Sequence, residues 1–192
     1  MESIYPNLQE RHRQREFLEE RAILCPRNET VRDINEYIMD QLQGEEKTYL
    51  SYDTVCKATS LNAQTELLYP TEFLNSLLFP GIPNHELKLK VGIPVMLLCN
   101  INQSAGLCNG TRMTIIQLGR RFVEAQIITG THVGEIVYIT RIVMSPTGSA
   151  WPFFLKRRWY TISVCFAMTI NKARDNIVET LSSNHYSMIH PC

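Results

Sequence analysis

The sequence predicts an α/β fold with a small β-barrel inserted into it, and three observations carry that reading. First, a short apolar run, Ala22 to Cys25, stops at Pro26 and is followed by apolar residues Val31, Ile34, Ile38 and Leu42 at helical spacing. Second, from Glu86 to Met144 the chain alternates apolar and polar residues in short runs, with turn residues between them at roughly the 8 to 12 residue interval of small barrels and sandwiches. Third, the apolar stretch Ile162 to Met168 returns afterwards with the character of a buried strand. The barrel is thus expected between two pieces of one sheet, dividing the chain into residues 1–85, 86–150 and 151–192.

Each element has a local reason. Asn7, with Glu10 three residues on, is placed to cap a polar helix running to about Glu20. Arg11, Arg13 and Arg15 interleave there with Glu10, Glu16, Glu19 and Glu20, the pattern of a solvated, salt-bridged face. Ala22 to Cys25 is the first strand, Asn28 the cap of the next helix, and Gly44 its stop. Thr48 to Ser51 reads as a strand, residues 56–68 are mixed and polar, and Pro70 opens a short helix over Thr71 to Leu78. The cluster Phe79-Pro80-Gly81-Ile82-Pro83 marks the boundary.

Beyond it, Leu87 and Leu89 alternate with Lys88 and Lys90, and strands are predicted over Val95 to Ile101, Arg112 to Leu118, Phe122 to Thr129 and Glu135 to Met144. Val95, Leu97, Ile115 and Ile127 are expected in the barrel core. Asn109-Gly110 supplies a turn first and a ligand contact second. After Trp151-Pro152 comes Lys156-Arg157-Arg158-Trp159-Tyr160, a basic and aromatic entry into the last apolar run, whose rings either stack bases or pack in the core. That run ends on Thr169, Asn171 and Lys172, at the carboxyl end of a strand, where open α/β sheets bind ligands. Ile170, Ile177, Val178 and Leu181 have the spacing of an amphipathic helix.

Composition narrows function without choosing it. Lys plus Arg and Asp plus Glu are each 19 in 192 residues, so attraction to a polyanion has to come from local patches. The six cysteines include no C-x-x-C pair and the five histidines no H-E-x-x-H, so neither zinc nor metal catalysis is expected; the cysteines read as reduced, buried thiols. No signal peptide or membrane span is expected. No G-x-x-x-x-G-K-[ST] and no G-x-S-x-G occurs, so ATP hydrolysis by this chain alone is not expected.

Three segments in order carry a family resemblance: Ala22-Ile23-Leu24-Cys25-Pro26-Arg27-Asn28-Glu29-Thr30-Val31 through Ile34-Asn35; Leu89 through Asn100 with Gly106-Leu107-Cys108-Asn109-Gly110-Thr111; and Val164 through Lys172. Together they resemble the carboxy-terminal half of petite-integration-frequency-type DNA helicases, in particular the plant and Helitron-transposon branch, over most of residues 1–172. The resemblance implies a partial RecD-like second motor domain of the P-loop NTPase type, with an inserted barrel of the Src-homology-three type. By it Arg27 and Asn28 lie near the motor cleft or the DNA track and Thr169, Asn171 and Lys172 near DNA phosphates, and Lys156, Arg157 and Arg158 are the further cations nearest that DNA-facing strand and expected to bind DNA with them. It further implies 5′ to 3′ movement on DNA, roles in repair, recombination, telomere maintenance or transposition, and a nuclear, mitochondrial or cytoplasmic address, nuclear first. ATP and magnesium belong to the full-length family, not to this chain alone. The expected partners are single-stranded DNA, held weakly, and an amino-terminal motor half; no membrane is expected.

Where the family continues Asn-Lys with Ser-Gln-Gly-Gln, this chain has Ala173-Arg174-Asp175-Asn176, and the tail to Cys192 matches no further motif, so a truncation at motif V is the expectation. Two other readings stay open: a non-catalytic module binding nucleic acid or protein, and an inert transposon-derived product.

Overall fold

The computed structural model describes residues 4–56, 69–79, 82–146 and 153–172, together with the backbone of 186–188. The predicted first helix is two short ones, α1 (Leu8–Arg11) and α2 (Arg15–Glu19). Between them His12 is buried, its Nδ1 2.8 Å from the Gln9 carbonyl, and His12 and Arg13 lie against Gly92. A Cβ at Gly92 would sit 2.7 Å from Arg13 Cγ, and the backbone there has φ +87°, so glycine is required on both counts. Arg15 pairs with Glu16 and Glu19 as the charge pattern suggested, whereas the Arg11 and Arg21 guanidinium groups lie over the Phe17 ring, 4.4 and 4.7 Å from its centroid.

Strand β1 (Ala22–Cys25) is buried at every position and leads into α3 (Asn28–Gln41), whose Ile38 and Met39 pack inward. Then come β2 (Lys47–Leu50), β3 (Tyr52–Cys56), α4 (Thr71–Ser76) and β4 (Glu86–Leu89). Strand β3 was not anticipated beyond the end of β2, because its sequence puts Asp53 on the inner face. The remaining strands are β5 (Pro94–Leu97), β6 (Arg112–Leu118), β7 (Phe122–Ile127), β8 (Ile136–Thr140), β9 (Ile142–Met144), β10 (Phe154–Trp159), β11 (Ile162–Val164), β12 (Ala167–Thr169) and β13 (Tyr186–Met188).

Four sheets result. Strands β12, β1 and β13 form a parallel sheet in that order; β11-β5-β6-β7-β8 and β3-β10-β9 are antiparallel, and β2 pairs with β4. Val95, Leu97, Ile115 and Ile127 are buried as expected and share one core with Ile23, Ile38, Trp159 and Phe166. The predicted strand from Glu135 to Met144 changes sheets at Arg141, as β8 pairs with β7 and β9 with β10. The run from Ile162 to Met168 changes sheets too. Strand β11 is antiparallel to β5, while β12 is parallel to β1, so the apolar stretch from Ile162 to Met168 is two strands rather than one. The return to the parallel sheet therefore falls at Cys165-Phe166, and β10 and β11 pair with the antiparallel strands.

That switch is held by side chains from far away in sequence. Asn35 on α3 donates from Nδ2 to the carbonyls of Val164 (3.2 Å) and Ala167 (3.1 Å), and its Oδ1 accepts from the Ala167 amide at 2.9 Å. Tyr5 donates its hydroxyl to the Phe166 carbonyl at 3.0 Å. One buried amide thus satisfies three backbone groups that neither sheet pairs.

Three basic residues are consumed in a similar way. Lys90 Nζ, buried, donates to the Met39 and Leu42 carbonyls at the end of α3, each at 2.8 Å. Arg112, buried, donates to the carbonyls of Leu18 and Arg21 at the end of α2, at 3.0 and 2.8 Å. Arg157 does the same for α4. Helix carboxyl ends leave orphan carbonyls and partial negative charge, and buried cations answer both.

Candidate nucleic-acid interface

Strand β10 alternates strictly: Leu155, Arg157 and Trp159 are buried, and Phe154, Lys156 and Arg158 exposed. The basic triplet is therefore not one patch. Arg157 is withdrawn from solvent and forms a bidentate pair with Asp53, Nη2 to Oδ2 at 2.6 Å and Nε to Oδ1 at 3.0 Å, both side chains fully buried. Its remaining N–H groups go to the carbonyls of Pro83 (3.0 Å), Leu74 (3.1 Å) and Leu77 (3.5 Å). Asp53 also accepts from Ser51 Oγ at 2.8 Å, and His85 Nδ1 lies 2.7 Å from that hydroxyl. Arg157 is thus corrected from a ligand contact to a structural cation: every donor it has is already committed.

Lys156 and Arg158 point the other way. Among the described residues neither takes part in an ion pair. Trp159 and Tyr160, by contrast, are fully buried, which resolves their two readings in favour of the core. Tyr160 packs edge-on against Tyr49 with centroids 5.1 Å apart, and Arg141 lies 5.2 Å from its centroid. Burial raises the pKa of both phenols, that of Tyr49 to about 12.

A second locus gathers at the carboxyl edge of the parallel sheet. Cys25 is the register partner of Thr169, so the residues that follow each strand, Arg27 and Asn28 on one side and Asn171 and Lys172 on the other, emerge at the same edge. Arg27, Asn28, Asn171 and Lys172 are exposed and Thr169 is half-buried. Asn28 does not cap α3: the extended residue before the helix is Arg27, and no side chain closes that cap. Its amide is accordingly not committed to the helix end. Desolvation pulls the Lys172 pKa below the ordinary lysine value. The backbone turns helical over 170–172, while Ile177, Val178 and Leu181 of the expected tail helix, and the departures at 173–176, lie outside the described residues. The structure therefore joins Arg27, Asn28, Thr169, Asn171 and Lys172 at one edge and sets Lys156 and Arg158 apart on another sheet.

The third predicted position is a turn. The Gly110 amide donates to the Leu97 carbonyl at 2.8 Å with φ +93°, and the Asn109 amide donates to Asn100 Oδ1 at 2.7 Å. Asn109 is exposed and Gly110 buried. Sequence reasoning missed Tyr52 and Phe154, which flank the two free cations; the signal was period two along β10 with Leu155 and Trp159 inward. Among the described residues no cluster of His, Cys, Asp or Glu is suited to a metal, and no helix is long and apolar enough to cross a membrane.

Comparison with known proteins agrees with the resemblance. Residues 72–118 match the family model described as the 2B domain of DNA helicase Pif1. The human ATP-dependent DNA helicase PIF1 is 26% identical over 155 residues, and the Xenopus laevis protein of the same name is equally similar. The match covers 79% of this chain but only 21% of the human protein, so the chain spans about a fifth of the length of these relatives. Among solved structures, Bacteroides Pif1 bound to single-stranded DNA superposes with a TM-score of 0.53 at 19% identity, covering 79% of this chain and 31% of that one. Candida albicans Pif1 helicase gives 0.54 at 18%, covering 79% and 36%. The chain is thus similar, in sequence and in fold, to a carboxy-terminal part of Pif1-type helicases.

Proposed function

We propose that this chain is the DNA-gripping portion of a Pif1-type helicase, holding single-stranded DNA through phosphate contacts while nucleotide chemistry is supplied by another motor half. The observation that carries this is the splitting of the basic run, which leaves Lys156 and Arg158 free on a sheet face while Arg157 anchors them from beneath. Arg27, Asn171 and Lys172 at the parallel-sheet edge provide a second set of phosphate contacts. Four cations and an amide give a loose, sequence-blind grip, since phosphate contacts position a chain without reading its bases.

The turn after β1 does not fit the phosphates of ATP. The turn after β1 is Pro26-Arg27 with no glycine, and Glu29 stands in the first turn of α3, where a phosphate nest would need backbone N–H groups and positive potential. In this reading the antiparallel strands wrap as a barrel of the Src-homology-three type inserted in a RecD-like domain. What supports the closure is that β8 runs on into β9 and β10 into β11, while β9 and β10 pair with each other. Movement with 5′ to 3′ polarity is part of the same proposal.

The test is a titration of fluorescent single-stranded DNA at several salt concentrations with the wild type and a Lys156→Ala, Arg158→Ala double variant. Each lost phosphate contact flattens the log–log salt slope by about 0.7, so the double variant is expected to lose about 1.4. An unchanged slope and affinity would remove these residues from the interface.

A further inference from the structure

We infer that the outer face of the sheet β3-β10-β9 is a stacking platform for unpaired bases, with Tyr52 and Phe154 as its rings and Lys156 and Arg158 as its phosphate contacts. The inference rests on the proposed single-strand grip and names its chemistry. Register places the residues together: Arg158 lies opposite Tyr52 on one side and Val143 on the other, and Lys156 lies opposite Thr54. Opposed residues in an antiparallel pair share a face with Cβ atoms about 4.5–5.5 Å apart, and alternate residues of one strand share it too. Tyr52 is 66% exposed, Phe154 64% and Val143 59%.

Tyr52 and Phe154 stand at the two ends of this face, with the Lys156–Thr54 pair between them, and large apolar side chains left in water on one sheet face mark an interaction surface rather than a core. The chemistry of the occupant follows from what surrounds them. The six residues Tyr52, Thr54, Val143, Phe154, Lys156 and Arg158 include two cations and no carboxylate, on a chain whose overall charge is zero. An acid-free face with flat rings and exposed cations complements a polyanion that exposes flat apolar groups, and single-stranded nucleic acid is that polymer. A duplex hides its bases and has no use for the rings. The platform's orientation is held from below: Arg157 and Asp53, the inward neighbours of Lys156, Arg158, Tyr52 and Thr54, lock β10 to β3 through their buried pair.

The experiment compares wild-type chain, Tyr52→Ala, Phe154→Ala, Tyr52→Phe and Phe154→Tyr for binding to an oligonucleotide carrying 2-aminopurine and to a duplex of the same length. Each alanine variant is expected to weaken single-strand binding about 5-fold or more and to reduce quenching of the stacked base. The salt slope should be unchanged, because no phosphate contact is lost. The ring-keeping variants should bind as wild type, and duplex binding should not move. Wild-type binding with alanine variants that bind and quench equally would overturn the platform while leaving the single-strand grip intact. Absence of wild-type binding would overturn both. If alanine variants instead abolish self-association of the chain, seen by sedimentation, and oligonucleotide does not compete with it, the face is a protein contact and the inference fails.

Discussion

Replacing Arg157 with alanine is expected to cost about 3–5 kcal/mol of folding stability, the scale for removing one member of a buried ion pair. The loss would leave Asp53 charged and enclosed, and the carbonyls of Leu74 and Pro83 without their donor. Arg157→Lys should rescue little, because an ammonium cannot make the two-pronged contact to the carboxylate and reach both carbonyls at once. A double variant, Asp53→Leu with Arg157→Met, should recover part of the stability, since no buried charge then lacks a partner. Chemical denaturation read by Trp fluorescence is a suitable probe because Trp159 is fully buried beside this pair on β10. An Arg157→Ala protein as stable as wild type but weaker on DNA would reverse the assignment of this residue. Lys156→Ala and Arg158→Ala should show the opposite profile, near-wild-type stability and a changed salt slope.

Asn35→Ala is the second large effect expected. It removes two donors and one acceptor that serve Val164 and Ala167 at the point where the chain leaves one sheet for another. A buried polar group left without a partner costs about 1–3 kcal/mol, and three are stranded, so a loss of roughly 3 kcal/mol or more follows. Asn35→Asp should be worse still, because it keeps an acceptor for the Ala167 amide but turns a second oxygen toward two carbonyls. Urea unfolding of the three proteins checks the order. Equal stability for the Ala and Asp variants would mean that packing, not hydrogen bonding, is what Asn35 contributes.

These two residues show where the sequence was legible and where it was not. The unit β1 to α3 could be read because an apolar run, Pro26 and helical spacing are all local signals. The hairpins of β6, β7 and β8 were legible for the same reason, through alternation and Gly-containing turns. The switch at Cys165-Phe166 was not, since apolar residues on both sides are buried whichever sheet they join, and Asn35 lies 132 residues from Ala167. The fate of Arg157 was half legible: Leu155 and Trp159 are apolar at period two with it, which puts its side chain inward. Its partner Asp53, 104 residues away, was beyond local reasoning. Reading Lys156-Arg157-Arg158 as a block overlooked that a strand sends neighbours to opposite faces, and the same oversight hid Tyr52 and Phe154. At the parallel-sheet edge Thr169, Asn171 and Lys172 could be placed at the carboxyl end of a strand from the sequence, because the end of an apolar run is itself a local signal.

The central claim is that single-stranded DNA sits on the outward face of β10 and at the carboxyl edge of the parallel sheet, with Arg157 beneath as a fastening. The most direct measurement is a residue-by-residue map: backbone amide chemical shifts of the isotopically labelled chain during titration with single-stranded DNA. Shifts are predicted at Tyr52, Thr54, Phe154, Lys156 and Arg158, and at Arg27, Asn28, Asn171 and Lys172, attenuating as salt is raised. Shifts confined to other surfaces, such as the exposed Tyr138 and Ile136 of β8 or the Arg120-Arg121 hairpin tip, with those residues unmoved, would contradict it.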